Sequence, residues 1–176
     1  MSRHNGRRNA HLLGSHGESG SLLDEKPRVF IGSSTEGLGV AELIQLGLEH
    51  AADCTLWTQS TFILGKTVIE SLEDAAIRHD FAVFVLTPDD LVLKRGTLSA
   101  RICDNPLFEL GLFIGKLGRG RTFIVKDRDI TLPSDLDGVT AAAYSARIDG
   151  NMEAALGPAC TRIKQAMEIL TGAQVA

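Results

Sequence analysis

An α/β fold, a parallel five-stranded sheet with helices on both faces, is predicted by three features of this chain. Short apolar runs alternate with helix-period patterns from Arg28 onward, the run Phe81-Ala82-Val83-Phe84-Val85-Leu86 is apolar at every position, and Gly, Asn, Asp or Pro punctuates the junctions. A strand without a polar position is buried on both faces, the condition of a central strand in a parallel sheet.

Arg28-Val29-Phe30-Ile31 reads as the first strand, followed by a helix over Gly37 to His50 with Val40, Leu43, Ile44 and Leu48 at helical spacing. Thr55-Leu56-Trp57-Thr58 is the second strand. The helix over Thr67 to Arg78 carries Val68, Ile69, Leu72, Ala75, Ala76 and Ile77 as its inward stripe. After the central strand, Thr87 to Asp104 reads as a long loop. Asn105-Pro106 then starts the third helix, because Asn is a good N-cap, Pro suits the first helical position, and the residue before Pro resists the helical region. Gly118 with Arg119 ends it. Thr122-Phe123-Ile124-Val125 and Ala141-Ala142-Ala143-Tyr144 supply the fourth and fifth strands, and Met152 to Leu170 a final helix interrupted near Gly157-Pro158.

The 176 residues suit one domain, 44% hydrophobic and 23% charged, and the net charge of -4 offers nucleic acid no basic groove. The longest apolar runs are far too short to cross a bilayer core of roughly 30 Å as helices, so no membrane insertion is expected. Cys54, Cys103 and Cys160 are scattered and odd in number, which suggests neither a disulfide framework nor a zinc site and makes a reducing cytoplasm the simplest home. Residues 1–26 are rich in Gly, Ser, Arg, Asn and His and read as a flexible arm, with residues 27–172 as the folded domain. His4, His11 and His16 in that arm are irregularly spaced, the mark of a solvated tail, and no metal site is expected.

In an open parallel sheet a ligand sits at the carboxyl ends of the strands. That edge receives Gly32-Ser33-Ser34-Thr35-Glu36-Gly37, then Gln59 to Lys66, then the segment delivering Glu109. Glu109 stands among Leu107, Phe108, Leu110, Leu112 and Phe113, so it either turns to solvent or is held in a cleft where burial tunes its pKa. The first loop leads into a helix and can offer backbone N–H groups to a phosphate or ribose. It lacks both the G-K-[ST] ending of a P-loop and a G-x-G-x-x-G, so a plain capped turn is an equal reading. Trp57 and Phe62 can stack on a planar ring or fill the core.

Several motifs agree in order with one family. Val29-Phe30-Ile31-Gly32-Ser33-Ser34-x-Glu36-Gly37, Leu56-Trp57-Thr58, Phe84-Val85-Leu86-Thr87-Pro88-Asp89-Asp90, Asp104-Asn105-x-x-Phe108-Glu109-Leu110-Gly111-Leu112-Phe113-Ile114-Gly115-x-Leu117-Gly118-Arg119 and Leu132-Pro133-Ser134-Asp135-Leu136 carry the likeness. From Pro27 to Leu170 the chain resembles the bacterial TIR-like effectors of CBASS and Pycsar anti-phage systems. The resemblance implies a flavodoxin-like TIR fold and hydrolysis of NAD+ at its nicotinamide N-glycosidic bond. It implies Glu109 as the catalytic carboxylate and Gly32, Ser33 and Ser34 as the pocket loop. It makes the segment from Gln59 to Lys66 a gating loop with oligomer contacts. Trp57, Thr58, Phe62, Asp104 and Asn105 complete the expected substrate-binding set. NAD+ enters as substrate with no cofactor, TIR–TIR self-association as the activating step, and a cyclic-nucleotide-sensing module or separate partner as the source of the signal. Pro106 and Leu107 stand where the family carries an aliphatic pair, and Cys103 where a charge is common; the register of Glu109 survives.

The implied chemistry needs few groups. Nicotinamide leaves NAD+ as a neutral ring, so the general acid of an ordinary glycosidase is dispensable, and one ionised carboxylate can stabilise the ribosyl cation, hold a ribose hydroxyl or form a transient ester. Two other readings stay open: a non-enzymatic TIR interaction module, and an N-glycosidic enzyme like the nucleoside deoxyribosyltransferases.

Overall fold

A computed structural model of the chain describes residues 25–59, 65–94 and 97–172. The strands β1 (Arg28–Ser33), β2 (Asp53–Leu56), β3 (Phe81–Leu86), β6 (Thr122–Asp127) and β7 (Thr140–Tyr144) form one parallel sheet in the order β2-β1-β3-β6-β7. The apolar run is indeed central, and all six of its residues are buried. Helices α1 (Leu38–Leu48) and α4 (Met152–Gly172) cover one face, while α2 (Val68–Arg78) and α3 (Asp104–Leu117) cover the other. Each face has its own core. The first gathers Val29, Ile31, Ile44, Leu48, Val83, Val125, Leu156 and Ile163, and the second Phe30, Leu72, Phe84, Leu110, Phe113 and Ile124, as period-two alternation along β1 and β3 requires.

Five local expectations are corrected. The second strand lies two residues earlier than read, because Gln59 Oε1 accepts from the Leu56 amide at 3.2 Å and turns the chain at Trp57 and Thr58. Within the stretch read as a loop, β4 (Asp90–Lys94) and β5 (Thr97–Arg101) pair antiparallel as a hairpin between β3 and α3. Helix α3 begins at Asp104 with extended Cys103 as its cap, so Pro106 occupies the third helical position, where its missing N–H is still one of the helix's four orphans. The final helix runs unbroken through Pro158. Leu156, Ala159, Cys160, Ile163 and Met167 are buried along one stripe, and their packing outweighs the hydrogen bond the proline removes. In α2 only Leu72, Ala75 and Ala76 of the expected stripe are buried; Val68, Ile69 and Ile77 lie more than half exposed. The flexible-arm expectation falls, for residues 1–24, outside the described residues, as does Phe62.

Helix α2 starts as its sequence directs: the Thr67 hydroxyl accepts from the Glu70 amide and the Glu70 carboxylate accepts from the Thr67 amide, a reciprocal cap. Helix α3 stops at Gly118, whose φ of 85° disfavours any side chain. Among the described residues no helix is long and apolar enough to cross a membrane.

The closest packing beneath the ligand edge is at Gly32. A Cβ there would lie 2.5 Å from Cε1 of Phe84, a ring with no exposed surface into which to retreat. Gly32→Ala is therefore expected to destabilise the fold by about 1–3 kcal/mol, read as a lower urea midpoint at unchanged slope; an unaltered midpoint would show that the β1–β3 contact yields.

Candidate active site

Strands β1 and β3 are neighbours, yet β1 continues into α1 on one face and β3, through the hairpin, into α3 on the other. A crevice at the carboxyl ends of these strands is the geometric consequence. It holds a cleft of about 320 Å³, at the lower end of the roughly 300–1,000 Å³ typical of small-molecule sites. Ser33 to Glu36 form its first wall. Trp57 and Val68 form a second, and Cys103, Asn105, Pro106 and Glu109 a third.

Glu109 reaches the cleft because α3 is anchored on either side of it in the helical turn. Leu110 and Phe113 are fully buried against the sheet, while Phe108 is 57% exposed, so the intervening position falls at the boundary between core and solvent. Burial alone pushes its carboxyl up from the ordinary 4.5 to about 7, with no ion pair opposing the shift. The cleft wall carries a second acid, the exposed Glu36, and no Lys or Arg among the described residues. This is an environment for a ligand carrying positive charge.

The first wall is tied into a network. Trp57 Nε1 donates to Ser33 Oγ at 3.0 Å, and Ser33 Oγ donates to the Ser34 carbonyl at 2.9 Å. Ser34 Oγ accepts from the Gly37 amide at 3.0 Å and lies 3.2 Å from Thr87 Oγ1, which donates to Asp89 Oδ1 at 2.5 Å. A Cβ on Gly37 would sit 3.0 Å from Thr87 Oγ1 and 3.2 Å from Ser34 Oγ, so this turn accepts only glycine without displacement. Two of the amides at this turn are engaged within the chain: Gly37 donates to Ser34 Oγ and Leu38 to the Thr35 carbonyl. The Ser34 hydroxyl closes this turn on the Gly37 amide, while helix α1 itself starts at Gly37 with no side-chain cap.

Glu109, Ser33, Ser34, Trp57 and Asn105 are thus brought together on one cleft, as expected from the sequence. Gly32 is buried on β1 beneath it, Thr58 is exposed on the turn after β2, and Asp104 is exposed in the first turn of α3; none of the three is part of the cleft wall. Thr35, Glu36, Val68, Cys103 and Pro106 line it without having been singled out, and Thr87 with Asp89 supports it from the end of β3. The signal for these last two was their place, immediately after the fully buried strand. Among the described residues no group of His, Cys, Asp and Glu is arranged to hold a metal ion.

The chain is 38% identical over 144 residues to the Pycsar effector protein PaPycTIR of Pseudomonas aeruginosa, covering 80% of this chain and 47% of that protein. It is 40% identical over 123 residues to CD-NTase-associated protein 12 of Flavobacterium daejeonense, covering 70% of this chain and 40% of that one. The chain therefore spans about half the length of the relatives it matches. A crystal structure of a prokaryotic SEFIR domain superposes with a TM-score of 0.46 at 13% identity, over 80% of this chain and 92% of that one. The family model of the TIR domain of CAP12/Pycsar effector proteins matches residues 28–146, the span holding the whole parallel sheet and every residue of the cleft. With those residues matched and both relatives well above 30% identity, this chain belongs to the CAP12/Pycsar effector TIR-domain family.

Proposed function

We propose that this domain hydrolyses NAD+ at the nicotinamide–ribose bond, with Glu109 as its catalytic carboxylate, and that it serves as an effector in anti-phage defence. The observation that carries the reading is a half-buried carboxylate, raised by burial alone, facing a nucleoside-sized cleft that has acids and no cation among its described wall residues. The pyridinium ribosyl half of NAD+ is the cationic ligand such a cleft favours.

In the proposed reaction the bond between ribose C1′ and the pyridinium nitrogen breaks with both electrons passing to the ring, which leaves neutral. Positive charge moves onto C1′ and the ring oxygen, and the Glu109 carboxylate stabilises it at close range in a low-dielectric cleft. Water then attacks C1′ and releases a proton to solvent, giving ADP-ribose. Bound pyridinium favours the ionised carboxylate, so the substrate itself offsets the desolvation that holds the Glu109 proton in the free protein. Trp57, with its indole N–H directed to Ser33, presents a fixed ring face for stacking.

Activation by TIR–TIR self-association, on a signal from a cyclic-nucleotide-sensing module or partner, belongs to the same proposal. Val68, which lines the cleft, its neighbour Ile69, and Phe108 beside Glu109 are each more than half exposed, apolar side chains that a second copy could cover.

Nicotinamide release from NAD+ at high protein concentration, with and without a crowding agent, tests the reading. The Glu109→Gln variant is expected to lose about 100-fold or more of the rate. No release by the unsubstituted chain under any such condition would instead favour an interaction module. In the active protein kcat/KM is expected to rise with pH and level off above about 7, as Glu109 ionises; a flat profile across that region would remove Glu109 from the role.

Stability moves the other way. The folded chain holds the Glu109 proton more tightly than the unfolded chain, whose carboxyl titrates near 4.5, so the folded state binds more protons between 4.5 and about 7 and loses stability as pH rises through that window. Glu109→Gln removes this loss. The variant is expected to exceed the original chain by about 1–2 kcal/mol at pH 8, allowing for solvent screening of a partly exposed group, and to approach it near pH 4. Equal denaturation midpoints at both pH values would contradict the burial argument.

A further inference from the structure

Proton counting around the two cleft serines decides what kind of group their wall can bind. A serine hydroxyl has one proton and two lone pairs, and a carboxylate can only accept. Thr87 gives its proton to Asp89 Oδ1, so toward Ser34 it has only a lone pair to offer. The contact of 3.2 Å between the two hydroxyls therefore runs from Ser34 to Thr87. With the Gly37 amide on its first lone pair, Ser34 keeps one lone pair and no proton for the cleft. Ser33 reaches the same state independently: its proton goes to the Ser34 carbonyl, and the Trp57 indole takes one lone pair. Both side chains are more than nine-tenths buried, with exposures of 6% and 8%, so bulk water does not rearrange them freely.

Asp89 is the source of this polarity. Its other oxygen, Oδ2, is buried with no hydrogen-bond partner among the described residues, and among these the Thr87 hydroxyl is the side-chain donor to the carboxylate. A hydroxyl donating to a carboxylate makes a short, strong bond that polarises the next one in the chain. The direction Ser34 to Thr87 to Asp89 is thereby held one way.

We infer that the Ser33–Ser34 wall is an acceptor-only subsite for a sugar diol, which supplies the two O–H donors, that it turns phosphate away, and that Asp89, acting through Thr87, is the positioning residue that sets this polarity. The inference deepens the proposed reaction, on which it rests for the identity of the ligand: the ribose lies against this wall with its C1′ toward Glu109. Phosphate, which needs donors, meets two lone pairs on the Ser33–Ser34 wall with the carboxylates of Glu36 and Glu109 beside it, and the side-chain donors of the lining, Thr35 and Asn105, lie outside that pair.

The test is a binding titration in the full chain carrying Glu109→Gln, so that ligand is not consumed. The probes are NAD+, its 2′-deoxy-2′-fluoro analogue on the nicotinamide ribose, in which a donor is replaced by a group that cannot donate, and inorganic pyrophosphate as competitor. NAD+ is expected to bind about 10-fold or more tightly than the fluoro analogue, and pyrophosphate not to displace it. Adding Thr87→Val frees the Ser34 proton to face the cleft, and the ratio should fall below about 3-fold. Thr87→Ser, which keeps the hydroxyl, should restore it. Asp89→Asn, whose amide can donate to Thr87 and reverse the chain, should lower the ratio as Thr87→Val does, and so keeps the test readable if the valine variant fails to fold.

Equal affinity for the two nucleotides, displacement by pyrophosphate, a ratio indifferent to both Thr87→Val and Asp89→Asn, or no NAD+ binding would each overturn the inference. Nicotinamide release by the chain with Glu109 intact is measured separately. Absence of release with the ratio and its loss in the variants both present would strike the hydrolase reading and leave the diol subsite standing.

Discussion

The placement of Glu109 depends on one aromatic contact four residues away. Phe113, on the same helix, stacks on Phe30 of β1 with ring centroids 4.6 Å apart and planes within 19°, and meets Phe84 of β3 edge-on at 5.3 Å. Three fully buried rings thus fasten α3 across the two strands whose ends form the cleft. Gly32 completes the joint by letting Phe84 lie where any side chain would stand. Rings in a close-packed interior have few alternative arrangements, so the helix is fixed in rotation as well as distance. A rotation of one residue on that helix would exchange Glu109 for Phe108 or Leu110 at the cleft.

The same arrangement accounts for the electrostatics of the site. A carboxylate at the edge of an apolar helix face is partly stripped of water, and none of the described wall residues supplies a compensating cation. Such a group is unfavourable to folding when ionised, so Glu109 lowers the stability of the fold once it loses its proton. The two serines opposite are rigid for a different reason, since every proton in the chain from Trp57 to Asp89 has an acceptor within it. Disposition of charge on one wall and of hydrogen-bond polarity on the other are therefore separate properties, set by separate elements.

Access to the cleft is bounded by two well-anchored ends. Gln59 accepts from the Leu56 amide and from Gln45 Nε2, while Lys66 pairs with Asp74 just before the reciprocal cap that starts α2. On the other side, a hairpin joins the central strand to the helix of Glu109. Trp57 and Val68, on the described sides of the first connection, and Cys103, which follows the hairpin, are themselves wall residues of the cleft.

Most of the fold was legible in the chain because it is written in local periodicity. The all-apolar run at Phe81 to Leu86 identifies the central strand, Thr67 with Glu70 identifies the start of α2, and Gly118 the end of α3. Departures occur where a long-range partner overrides a local preference. Pro158 stays helical because five side chains of α4 are buried along one stripe, and the cap of α3 lies at Cys103, two residues before Asn105. The cleft was only half legible. Glu109 stood out as a lone acid in an apolar helix, and Ser33, Ser34 and Trp57 through the family motifs, whereas Thr87 and Asp89 were signalled only by their place after the buried strand, which does not tell which groups they bond. By itself the sequence determined the α/β class, the central strand and the register of Glu109, since these follow from side-chain period and from family motifs. Only the tertiary structure decided that Gly32 serves packing, that Val68 and Cys103 line the cleft, and that the serine hydroxyls face it as acceptors. Those properties belong to residues far apart in the chain, 53 positions in the case of Ser34 and Thr87, and a hydrogen bond's direction exists only once both partners are in place.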